Sequence, residues 1–139
     1  MSFREKSAWI SFVSILLVFS IYFARAGRVL VTGEGRDPLF HLFIVLVLGL
    51  VVLEVVLHVA IALQSPREAR SPKDERERLI DMKATRLAFP VLLVGALSAI
   101  LPVHLGGGRG LMADAMLLAV VVAELVKFGA QIVYHRRGF

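Results

Sequence analysis

The chain contains no cysteine, a single tryptophan and only five prolines in 139 residues. Without cysteine there is no disulfide framework, no thiolate metal site and no iron–sulfur cluster, so thiol redox chemistry is excluded in any compartment. Polar surface is also scarce. At 58% hydrophobic residues and a mean hydropathy of +0.77, too little polar area remains to cover a water-soluble globule, and lipid must supply the apolar surroundings. Strict alternation of apolar and polar residues is missing too, which excludes a transmembrane β-barrel.

What is present is four long apolar segments, roughly residues 8–24, 39–63, 84–103 and 111–134. Each approaches the ~20 residues that a helix needs to cross a bilayer core, and only helices satisfy their own backbone groups there. The expected fold is therefore all-α, a four-helix transmembrane bundle forming one domain over residues 1–139, with a cytoplasmic helical extension over about 72–83. Arg4 and Lys6 ahead of the first segment, with Ala24-Arg25-Ala26 after it, have the outline of a signal peptide. The apolar stretch is long for one, and we expect it to persist as a membrane anchor.

The net charge of +5 does not read as a nucleic-acid footprint, because the basic residues sit at the edges of apolar runs. Eleven of them (Arg4, Lys6, Arg67, Arg70, Lys73, Arg76, Arg78, Lys83, Arg86, Arg136 and Arg137) fall on one side of the four spans, against Arg25, Arg28, Arg36 and Arg109 on the other. That bias predicts cytoplasmic N- and C-termini. Asp37-Pro38 is expected to cap and open the second helix, and Ser71-Pro72-Lys73-Asp74 the third, which would run from Pro72 to Leu101 with a kink at Pro90. Overlaying the halves suggests two repeated helical hairpins: Lys6 to Val18 matches Lys83 to Val94 with one gap, and Val51-Val-Leu-Glu54 resembles Val121-Val-Ala-Glu124. Such a repeat implies a pseudo-two-fold axis along the membrane normal.

Glu54 and Glu124 are the most informative residues. An ionised carboxylate at the bilayer centre costs on the order of 3 kcal/mol or more, so each should face protein or water, be paired, or be protonated. Glu54 and His58 share a helix face, and Glu124, Lys127, Gln131 and His135 form a polar stripe on the fourth helix. One reading is a chamber of Glu54, His58, Glu124, Lys127 and Gln131 in a small transporter or ion- or proton-conducting module. The competing reading is an interhelical lock, with Glu124 and Lys127 paired at i,i+3. A different class of function is a membrane interaction or regulatory protein, whose basic surface of Arg67, Arg70, Lys73, Arg76 and Arg78 docks a cytoplasmic partner or anionic lipid. Haem or metal ligation by His41 and His104 is a third alternative, against which the face of His41 argues. We expect no enzyme activity, cofactor or metal, and a homo-oligomer in the bilayer. Ser7, Ser11 and Ser14 share one face of the first helix, Gly95 and Ala99 give the third a small-residue spacing, and Ala115, Ala119 and Ala130 line the fourth; all read as packing features.

The stretch Asp74-Glu-Arg-Glu-Arg-Leu-Ile-Asp-Met-Lys-Ala84, taken with the ending Ala123-Glu-Leu-Val-Lys-Phe-Gly-Ala-Gln-Ile-Val-Tyr-His-Arg-Arg-Gly138, resembles a group of small bacterial four-helix inner-membrane proteins. These carry a D-E-R-E-x-x-I-x-x-K-A motif before the third helix. The resemblance covers about half the chain and implies a bacterial inner membrane, and it carries over no functional residue.

Overall fold

The computed structural model describes residues 1–138, which form six helices. Four are long and apolar enough to cross a membrane: α1 (Phe3–Thr32), α2 (Asp37–Gln64), α4 with its continuation α5 (Glu75–Ser98 and Leu101–His104), and α6 (Arg109–Arg137). A short helix, α3 (Pro66–Arg70), follows α2 in the connection to α4.

Local chemistry sets the ends of these helices. Ser2 accepts the Glu5 N–H to start α1, and Gly33, at φ +70°, ends it in the left-handed conformation that glycine adopts without strain. At the start of α2, Arg36 holds the N-cap position with no side-chain bond, so Asp37 is the first helical residue rather than the cap. The third span differs more. Asp74, not Ser71, caps α4: its Oδ1 accepts the Glu77 N–H at 2.7 Å while Glu77 Oε2 accepts the Asp74 N–H at 3.3 Å. Pro72 therefore lies ahead of the helix. α4 continues through Pro90 and stops at Ser98, where Pro102 lacks the N–H that the Ser98 carbonyl would need. The chain turns through residues 99–100 and resumes as α5.

The four long helices make an open bundle with α1 and α6 at its centre. α2 packs along the outside of α1, and α4 lies along the far side of α6. A two-fold relating the hairpins would pair α2 with α4 as α1 pairs with α6, and among the described residues no contact between α2 and α4 matches that between α1 and α6. Close approach of α4 to α6 rests on small residues. Gly95 lies so near Ala119 that a Cβ added there would stand 2.6 Å from the Ala119 Cβ, and Ala84 and Ala88 of α4 and Ala123 of α6 are also buried. Between α1, α2 and α6 sits the main apolar cluster of Phe19, Tyr22, Ala26, Val29, Leu39 and Val121. α2 fully buries only Leu39; Leu42, Phe43, Leu46, Val47 and Leu50 pack half-buried against the cluster, while Val45, Leu48, Val52, Val56 and Leu63 among others point outward. An outward apolar surface of that extent requires a non-aqueous surrounding.

Charged clasps close the end that carries both termini. Arg136 pairs with the buried Glu5, Arg4 with Glu77, and the Phe3 N–H donates to Glu68 Oε2 at 3.0 Å.

Candidate functional site

The serine face of α1 meets the one acidic position of α2's membrane-length interior. Ser7, Ser11 and Ser14 recur at helical spacing, and Ser11 and Ser14 are buried. Ser11 Oγ donates to Glu54 Oε2 at 2.9 Å. His58, one turn further along α2, places Nδ1 at 2.7 Å from the Glu54 carbonyl and 3.2 Å from Glu54 Oε2, and Nε2 at 2.8 Å from Ser7 Oγ. A carbonyl oxygen can only accept, so Nδ1 carries a hydrogen. In the neutral ring Nε2 then accepts the Ser7 O–H. In the imidazolium it donates to Ser7 instead.

Ser7, His58, Glu54 and Ser11 thus form one continuous hydrogen-bonded chain along the α1–α2 seam. Its inner member is incompletely satisfied: Glu54 Oε1 is buried and has no hydrogen-bond partner among the described residues. A carboxylate oxygen left so in an apolar seam carries a desolvation cost that no hydrogen bond offsets. Glu54 lies about 15 Å along α2 from Gln64 at a rise of ~1.5 Å per residue, well inside the apolar span.

At its other end the chain reaches a polar cavity. Ser7 lines a space of about 410 Å³ near the terminal end of the bundle, together with Arg4, Lys73, Asp81, Lys127, Gln131 and His135. Gln131 Nε2 donates to Asp81 Oδ1 at 2.9 Å, and Lys73 pairs with the same carboxylate. The Lys127 ammonium stands 3.6 Å from Glu124, the i,i+3 pair expected of a lock, and 5.2 Å from the Phe128 ring centroid.

The expected single chamber is therefore divided. Glu54 and His58 belong to the α1–α2 seam, whereas Lys127 and Gln131 face the terminal cavity and Glu124 pairs locally on α6. No hydrogen bond or ion pair joins Glu54 to Glu124 among the described residues, because α1 packs on both α2 and α6. Of the basic surface, Arg67, Arg70 and Arg78 are exposed, Lys73 is taken by Asp81, and Arg76 donates to the His135 carbonyl at 3.3 Å. His41 and His104 lie within hydrogen-bond distance of the carbonyls one turn back, of Asp37 and Ile100.

A second polar cluster occupies the opposite end of the bundle. Tyr22 on α1 donates its hydroxyl to Asp114 Oδ1 at 2.7 Å, and Arg36, from the α1–α2 connection, pairs with Oδ2. Asp114 stands near the start of α6 and is only 13% exposed. The rule that singles out Glu54 and Glu124, a carboxylate inside an apolar run, applies equally to it. The Ser11 and Ser14 hydroxyls and the Tyr22–Asp114 pair are separated by the apolar cluster around Phe19, backed by Ile15, Leu46, Val47 and Leu50.

Comparison of the chain with protein-family models, with curated proteins and with solved structures finds no match.

Proposed function

We propose that the chain is a small proton-handling transport module of a bacterial inner membrane, with both termini in the cytoplasm and Glu54 as its proton-binding site. The single observation that carries this reading is the chain Ser7–His58–Glu54–Ser11, in which Glu54 keeps one buried carboxylate oxygen without a hydrogen-bond partner among the described residues. Orientation rests on the excess of Lys and Arg at the terminal end.

In this mechanism a proton reaches Ser7 through the hydrated terminal cavity. His58 takes it on Nε2 and releases the Nδ1 proton to Glu54, a transfer for which an imidazole is suited because each of its two nitrogens is already engaged, one by Ser7 and the other by Glu54. Neutral Glu54 no longer carries the penalty of a charge in hydrocarbon. The apolar cluster around Phe19 separates this half-path from the Tyr22–Asp114–Arg36 cluster, so onward passage needs a second conformation.

The test is proton uptake into liposomes containing the full chain and an internal pH dye, driven by a potassium diffusion potential. Glu54→Gln is informative because the amide oxygen still accepts from Ser11 and His58, which keeps the seam closed while removing the proton site. Expected is uptake in the parent protein and none in Glu54→Gln or His58→Phe. Undiminished uptake in Glu54→Gln would overturn the assignment and leave the cluster as an interhelical lock.

A further inference from the structure

The Asp114 cluster has chemistry that proton passage does not use. A cavity of about 340 Å³ adjoins the carboxylate and is lined mainly by apolar and aromatic side chains, Tyr22, Leu39, Phe40, Phe43 and Leu117. The Tyr22 and Phe43 rings meet edge to face at 6.0 Å between centroids. On the other side of the same Arg36–Asp114 pair lies a second cavity of about 240 Å³, lined by Phe23, Ala26, Leu30 and Leu118. The two apolar cavities are parted at this point by a single cationic side chain and its counter-ion.

Arg36 has the character of an occupant rather than a wall. It belongs to the short connection between α1 and α2, its side chain is 37% exposed, and it reaches the carboxylate across the first turn of α6. That reach depends on Gly110, where an added Cβ would fall within the Arg36 side chain. Withdrawing the arm leaves a nearly buried carboxylate, oriented by the Tyr22 hydroxyl, among aromatic rings. An anion beside an aromatic-lined cavity selects a cation, and the apolar walls select one with a large apolar body over a hydrated metal ion.

We propose that Asp114, Tyr22, Phe40 and Phe43 form a binding site for apolar organic cations, of the quaternary ammonium or phosphonium class, which Arg36 occupies as an internal competitor. The guanidinium stands in for the ligand's charge. The site is independent of the Glu54 reading, since no residue is shared.

Tetraphenylphosphonium binding to the purified full chain in detergent, measured by equilibrium dialysis, tests this directly. If the arm holds the site nine-tenths of the time, Arg36→Ala tightens binding about tenfold, because apparent affinity scales with the competent fraction. Arg36→Lys should stay near the parent, and Asp114→Asn should lose binding in either background. Gly110→Ala, which displaces the arm without removing its charge, should tighten binding as well and guards against misfolding of Arg36→Ala. Tetraphenylborate, of the same shape and opposite charge, reports partition into the micelle. Binding unchanged by Asp114→Asn, binding of both ions alike, or no tightening in both Arg36→Ala and Gly110→Ala would overturn the proposal. Glu54→Gln should bind as the parent does even where its proton uptake is lost, so the two assignments fail separately.

Discussion

Gly95 offers the most quantitative challenge to the packing described above. A methyl group there would stand 2.6 Å from the Ala119 Cβ, where ordinary contact begins at 3.4 Å, so restoring ordinary contact takes a separation of about 0.8 Å between α4 and α6. A gap of that order forfeits about a quarter to a half of the dispersion energy of the atoms that line it. Overpacking of this kind costs about 1–3 kcal/mol, while replacing glycine by alanine inside a helix returns about 1 kcal/mol of backbone propensity. Gly49 in α2 isolates the first effect from the second, because a Cβ there meets nothing within 4 Å. Gly95→Ala should therefore be less stable than Gly49→Ala by about 1–3 kcal/mol, the overpacking contribution alone. Unfolding in mixed dodecyl maltoside and SDS micelles, followed by circular dichroism, measures both. Adding Ala119→Gly to Gly95→Ala removes the opposing methyl and should recover at least about 0.5 kcal/mol as a coupling energy. Equal stability of the two single variants, or no recovery in the double variant, would refute the claim that α4 and α6 meet through this contact.

Other outcomes follow from individual residues. Asp74→Ala removes the α4 cap and should cost about 1 kcal/mol, seen as faster amide exchange at Glu75 to Glu77, with Asp74→Asn close to the parent. Ser11→Ala deprives Glu54 Oε2 of its hydroxyl donor and should lower stability by about 1 kcal/mol while leaving α4–α6 packing intact, which the same micelle unfolding assay reads. Because the chain has no cysteine, Ser71→Cys and Gly108→Cys, where an added side chain meets nothing within 4 Å, can each be labelled alone; in intact inverted vesicles an impermeant maleimide should reach the first and not the second. Labelling of both, or the reverse pattern, would remove the proposed orientation.

The membrane spans were legible because continuous hydropathy needs no tertiary partner to be recognised. Helix ends were less so. Ser71 to Asp74 and Asp74 to Glu77 are overlapping candidates for a cap, and only the reciprocal bond from Glu77 selects the second. The serine stripe on α1 and the Glu54–His58 face on α2 were each readable from 3.6-residue periodicity. That they face one another was not, since periodicity gives the faces of a helix and not its neighbour. The expected union of Glu54 with Glu124 depended on α2 lying against α6, and the interposition of α1 is a property of the whole packing arrangement. Asp114 carried the same signal as the other two carboxylates. Its partner Arg36, distant in sequence, shows no local pattern that points to it.

The slender attachment of α2 has a consequence for motion. Because this helix holds to the rest of the molecule chiefly along α1, it is the one of the four long helices that can part from the others with the least loss of contact. Parting would turn Glu54 toward acyl chains, which an anionic side chain resists and a neutral one tolerates far better. The protonation state of one carboxyl group would then set how freely an entire helix swings.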